Sequence, residues 1–165
     1  MSAAIPERAN AELVAAAYLR AMLAAYDTAI AAVLQGPNPD TGMITWAPGG
    51  FIQLSTISGP IDPYVPMRHT VMSIDIWAAT GGQNKRPPWG KAFALAEAVI
   101  AATYDTQLHD THAVVSLPTG YPGARVAEFS ALTEPSRRPS DPADYARVGM
   151  DIRLSWHGLG DSWTT

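Results

Sequence analysis

Between Asp62 and Ala102 the chain reads DPYVPMRHTVMSIDIWAATGGQNKRPPWGKAFALAEAVIAA, and those residues leave few folds open. Pro63 and Pro66 hold the approach extended, because the ring fixes φ and the residue before a proline is pushed out of the helical region. From Arg68 to Ala78 the pattern has a period of two. Met72, Ile74 and Ile76 fall on one face of a strand, and Val71, Ser73, Asp75 and Trp77 on the other. The second face is mixed enough to serve as surface or as a subunit contact. Thr80 to Pro88 is a basic Gly/Pro-rich loop containing Lys85 and Arg86. A helix is then predicted from about Trp89 to Thr103, with Phe93, Ala96 and Ile100 on one stripe and Ala92, Leu95 and Val99 beside it. That apolar face is wide enough to lie on a sheet.

The rest of the chain supplies the partners. Pro6-Glu7 is a reasonable helix start, and Leu13, Val14, Ala17 and Ala21 recur at helical spacing, which predicts a helix from about Glu7 to Ala25. Asp27-Thr28 is expected to cap a second helical stretch to Leu34, ended by Gly36-Pro37. Met43 to Ala47 reads as a short strand, and Phe51 to Ile57 as a strand with mixed faces. Val126 to Leu132 alternates as well, with Ala127, Phe129 and Ala131 against Val126, Glu128, Ser130 and Leu132. Leu117 to Gly123 is a hinge, and Glu134 to Asp144, with three prolines and the Arg137-Arg138 pair, a polar loop. The clearest strand is the last, where Val148, Met150, Ile152, Leu154 and Trp156 alternate with Arg147, Gly149, Asp151, Arg153 and Ser155. One dry and one wet face is the usual arrangement in an antiparallel sheet. The expected fold is therefore α+β, a mostly antiparallel sheet with two main helices packed on one face. At 165 residues this is a single domain, with its core over about 7–157 and a loosely ordered tail over 158–165.

Composition narrows the function classes. A net charge of −4 argues against a surface that wraps nucleic acid, which needs clustered cations against phosphates. With no cysteine, thiolate metal sites and thiol nucleophiles are excluded, which fits a reducing compartment. The Ala-rich segment from Ala9 to Leu34 carries Glu12, Arg20 and Asp27, so no stretch reaches the roughly 18 uncharged apolar residues of a membrane span. The chain is expected to be soluble and intracellular.

Candidate chemistry is sparse. His109-Asp110-Thr111-His112 is the one arrangement that hints at a metal, but it lacks a third ligand in any known pattern. The sequence contains no GxSxG, no GxxxxGK[ST] and no GxGxxG after a strand. Asp75 and Asp151 sit on the polar faces of their strands and read as solvated acids. Lys85-Arg86 and Arg137-Arg138 are too few for phosphate binding and read as intersubunit anchors or solubilising charge. Trp77, Trp89 and Trp156 read as packing residues at helix–sheet contacts, though tryptophan is also enriched at interface hot spots.

Three blocks, DPYVPMRHTVMSIDIWA, PPWGKAFALAEAVI and GYPGARVAEFSALTEPSRRPSDPADYARVGMDIRLSW, resemble in order the corresponding blocks of tail terminator proteins of long-tailed phages of actinobacteria. The similarity runs from roughly residue 7 to 157, and PPWGKA and ALTEPSRRP are its most specific words. The resemblance implies an α+β virion protein without catalysis or cofactor. It would form a hexameric ring that caps the tail tube, ends its polymerisation and receives the connector proteins of the neck, while genomic DNA passes through the channel without specific binding. The implied location is the virion tail at the neck junction, after assembly in the host cytoplasm. Candidate interface residues are Lys85, Arg86, Trp89, Arg137, Arg138, Asp75 and Trp77. The rival readings are a head-completion or connector ring of the same neck and, more remotely, a metal-dependent enzyme using His109 and His112.

Overall fold

The computed structural model describes residues 9–80, 86–104, 114–139 and 145–159. Its centre is the pairing of two long antiparallel strands, β3 (Arg68–Ala78) and β7 (Ala146–Gly158), matched without a break from Arg68 opposite Trp156 to Ala78 opposite Ala146. Among the described residues, seven strands form one sheet in the order β1 (Ala29–Ala31), β2 (Phe51–Ser58), β3, β7, β5 (Ala124–Ala131), β4 (Val114–Val115), with β6 (Ser136–Arg138) also on β7. Every pairing is antiparallel except that of β1 with β2. Helices α1 (Ala11–Met22) and α2 (Trp89–Thr103) cover one face. The α+β architecture expected from the sequence is the one observed.

The main core lies between the helices and the sheet. Met72, Ile74 and Ile76 of β3, with Val148, Met150, Ile152 and Leu154 of β7, are fully or almost fully buried against Val14, Leu19, Ala92, Ala96 and Val99. Asn10 starts α1, its side chain accepting the Leu13 N–H at 2.8 Å, which satisfies one of the free donors of a first turn. Pro6 and Glu7, the expected start, lie outside the described residues. At its far end α1 is tied to β1 by Arg20, whose guanidinium donates to the Ile30 carbonyl at 2.7 Å.

Five expectations are corrected. Residues 27–34 do not continue as helix. Asp27 adopts the left-handed conformation (φ 47°), the chain reverses, and Ala29–Ala31 pair in parallel with Phe51–Gln53, burying Ile30. Gly49 permits this, since a Cβ there would lie 1.8 Å from the Asp27 carbonyl oxygen. Residues 43–47 are irregular chain and turn rather than a strand, because local bonds use their backbone: Asn38 N–H to Met43 O at 2.8 Å, Gly50 N–H to Trp46 O at 2.8 Å. In β5 a bulge leaves Ala127 without a partner, with Val126 opposite Trp156 and Glu128 opposite Ser155. The extra residue puts Val126 and Phe129 on the same buried side, where strict alternation had separated them. Within the segment expected to be loop, Ser136–Arg138 form β6 along β7; residues 140–144 lie outside the described residues, as do 160–165 of the tail, while Gly158 belongs to β7.

The fifth correction concerns the second face of the sheet, which is not wholly open. The 34–50 segment folds over one end of it and builds a smaller aromatic core of Trp46, Ala47, Phe51, Trp77, Ala79 and Tyr145. Trp46 meets Phe51 and Tyr145 edge-on, at centroid distances of 5.7 and 5.6 Å, and its indole N–H donates to Gln35 O at 2.7 Å. Lys91 of α2 fastens this segment by donating to the carbonyls of Ala47 and Pro48.

Burial pulls the Lys91 pKa below its ordinary 10.5. Between the lowered value and 10.5 the unfolded chain holds the proton more often than the folded one, so on this residue stability rises with pH across that window. Urea midpoints measured from pH 8 to 11 are expected to show this rise, and Lys91→Met is expected to remove it. In the main core, Ile74→Ala is expected to cost about 2–5 kcal/mol in urea unfolding.

Candidate functional site

The uncovered part of the second face is where the side chains of β3, β7, β5 and β6 that do not enter the main core converge. The β3–β7 register sets Asp75 opposite Gly149 and Trp77 opposite Arg147, and β6 adds Arg138 opposite Arg147. Asp75, 8% exposed, is gripped by two cations. Arg147 Nη2 lies 2.6 Å from Oδ2, and Arg138 Nη1 lies 3.5 Å from Oδ1. Arg138 also reaches Asp151 at 3.8 Å, so the two aspartates share a guanidinium and do not meet each other. Arg147 stacks over the Trp77 ring at 5.0 Å and donates to Pro139 O at 3.2 Å. The missing Cβ of Gly149 makes the layout possible, since one would sit 1.7 Å from Arg138 Nε.

A second polar cluster lies nearer the β2–β3 turn. His69 Nδ1 is 2.9 Å from Ser155 Oγ, and that hydroxyl donates to Glu128 Oε2 at 3.0 Å. Glu128 also accepts from Ser130 at 2.9 Å and faces Arg153 at 3.9 Å. The order is histidine, hydroxyl, carboxylate. In a hydrolytic triad the imidazole stands between the hydroxyl and the acid so that it can take the proton of the nucleophile. Here Ser155 is buried and its proton is committed to Glu128, which is a structural chain of bonds. The adjacent shallow cleft of about 410 Å³ is lined by Pro60, His69, Val71, Glu128 and Arg153. Among the described residues no group of three His, Cys, Asp or Glu side chains is placed to hold a metal ion, and no helix is long and apolar enough to cross a membrane.

The sequence-derived candidates divide by location. Asp75, Trp77 and Arg138 are brought together, within the chain's own ionic and aromatic network. Arg137 points the other way, because neighbours on a strand face opposite sides. Its guanidinium lies 4.7 Å from the centre of the Trp89 ring at the start of α2. Arg86 is exposed nearby in sequence, while Lys85, His109 and His112 lie outside the described residues. The sequence reading missed the β2–β3 turn, where Ile57, Ile61, Tyr64 and Val65 all face solvent. The signal was present as four large apolar residues within nine positions of a proline-rich segment, a composition unusual for a solvated loop.

The ionic network gives a measurable expectation. Arg147→Met would leave the buried Asp75 carboxylate with Arg138 alone and is expected to cost about 2–4 kcal/mol in denaturant unfolding, the scale of a broken buried pair discounted for partial exposure. Arg147→Met combined with Asp75→Leu is expected to cost less than Arg147→Met alone, because no unpaired charge remains.

No protein-family model matches the chain, and no curated protein matches it. Among solved structures the chain is similar to one from the "Virion of native gene transfer agent (GTA) particle", with 20% identity and a TM-score of 0.48 over 89% of this chain and 96% of that one.

Proposed function

We propose that this protein is a non-enzymatic virion component of a phage-like particle, and specifically a tail terminator: a subunit of a ring, six-membered in the resembled family, that caps the tail tube and receives the neck proteins. One observation carries the reading. Among the described residues, the two polar clusters of the sheet are consumed in holding it together, Asp75 between Arg147 and Arg138 and Ser155 between His69 and Glu128, while large apolar side chains are left in solvent at the β2–β3 turn. Such a surface suits contact with other protein chains better than conversion of a substrate.

The mechanism is geometric. A closed ring needs two different patches per subunit related by a rotation that closes. One side of the ring would match the end of the tube and the other would reject a further tube ring, so that growth ends by mismatch. Acidic side chains toward the channel would let DNA slide, in keeping with the net charge of −4. Arg86, Trp89 and Arg137 are the interface candidates at the surface. Arg138, Asp75 and Trp77 would act by holding β6 and β7 in place, so charge reversal at Arg138 is expected to lower stability as well as assembly.

The decisive experiment is imaging of purified particles together with those assembled without this protein. A ring of density at the head-proximal end of the tail, and tubes of uncontrolled length in its absence, are expected. Density beside the capsid portal would assign the chain to a connector ring instead, and absence from the particle would end the proposal.

A further inference from the structure

The β2–β3 turn is built as a rigid apolar projection. Ile57 is 55% exposed, Ile61 78%, Tyr64 91% and Val65 37%. A mobile loop with these residues would collapse onto the nearest apolar surface, but this one is held out by its own backbone. Asp62 Oδ1 accepts the N–H groups of Tyr64 at 2.8 Å and Val65 at 3.2 Å, an Asx turn. Ile61 is bridged to Arg68, and Gly59 packs so close to the next strand that a Cβ would lie 2.1 Å from the His69 carbonyl oxygen. Because the geometry is fixed in advance, a partner would lose little conformational entropy on binding it. The only charge between Leu54 and Met67 is that of Asp62.

At the other end of β3, about 35 Å away at roughly 3.3 Å per residue, the chain presents a surface of the complementary kind. Arg86 and Arg137 are exposed, and Arg137 lies over the ring of Trp89. One end is apolar with two acids, Asp62 and Glu12, beside one cation, Arg68, and the opposite end offers two cations, one of them over the partly buried Trp89 indole. Being at opposite ends of one strand, the two patches cannot meet within a chain. They can meet between copies, head to tail.

We infer that the β2–β3 turn of one subunit docks, through Tyr64, Ile61 and Asp62, on the Arg86, Trp89 and Arg137 surface of a second copy of this chain. The inference rests on the ring reading above and names the contact that would build the ring. Tyr, Trp and Arg are the residues most enriched where interface energy concentrates.

The natural sequence contains no cysteine, so engineered ones report cleanly. In the full-length chain, Tyr64→Cys combined with Arg86→Cys is expected to give a ladder of covalent multimers on oxidation, whereas either substitution alone gives none. Light scattering is expected to show the unmodified protein as multimers at high concentration and Tyr64→Ser/Ile61→Ser as a monomer with an unchanged melting temperature. Asp62→Asn keeps the turn acceptor and removes the charge, and is expected to weaken self-association about tenfold. A single-cysteine dimer through residue 64, a chain that stays monomeric, or cross-linking in particles only to a different protein would overturn the inference. If the ladder fails while imaging still finds a ring on the tail, the contact is wrong and the proposed function stands. If the ladder forms and the protein is absent from tails, the contact stands without that function.

Discussion

The uninterrupted pairing of β3 with β7 is the constraint on which everything else depends. Eleven consecutive residues of β3 are matched, and because side chains alternate across a strand, the pairing sorts the two sequences into two layers at once. On one side it lines up Met72, Ile74 and Ile76 with Ile152, Met150 and Val148 as a continuous apolar floor for α1 and α2. On the other it brings Asp75, Trp77, Arg147 and Asp151 together. A slip of one residue would exchange the faces and bury the charges beneath the helices, so the register is strongly determined.

That second layer shows why a polar face need not be a reactive one. A carboxylate as buried as Asp75 is costly to desolvate unless it is paired and hydrogen-bonded. Two guanidiniums supply the pairing, and their positions come from strands distant in sequence: Arg147 from β7 and Arg138 from β6. Gly149 contributes by having no side chain in the path of Arg138. The result stitches the edge strand β6 to the centre of the sheet, while the aromatic cluster of Trp46, Phe51, Trp77 and Tyr145 seals the neighbouring end. Among the described residues the ionic groups of this layer are turned on one another, and what is left toward solvent at the β2–β3 turn is an apolar projection. That is the inventory on which the proposed assembly role rests.

Strong local patterns were legible in the chain. Arg68–Ala78 and the helix over about Trp89–Thr103 were found where expected, because alternation and helical spacing each ran unbroken for ten residues or more and each was preceded by proline. The buried face of β7 followed the same way, while its pairing with β3 came from the structure. What escaped reading depended on partners far away. Ala29–Ala31 have the composition of a helix and became a strand only because β2 offered its edge. Ser136–Arg138 became β6 because β7 has two sides and β5 occupies only part of one. The bulge at Ala127 is invisible to an alternation count, and it decides that Val126 shares the core with Phe129.

The sequence by itself determined the class of the fold, the two helices, the central strands with their apolar and mixed faces, and the lack of any recognisable catalytic signature, since all of these are written in local periodicity and residue type. Only the tertiary structure decided that Arg137 and Arg138 serve opposite faces, that Asp75 is neutralised rather than solvated, and that the β2–β3 turn stands out in water with its apolar side chains exposed. Those outcomes depend on which strands become neighbours. Strand pairing is a contest among edges distant in the chain, settled by the free energy of the whole sheet and not by any one segment.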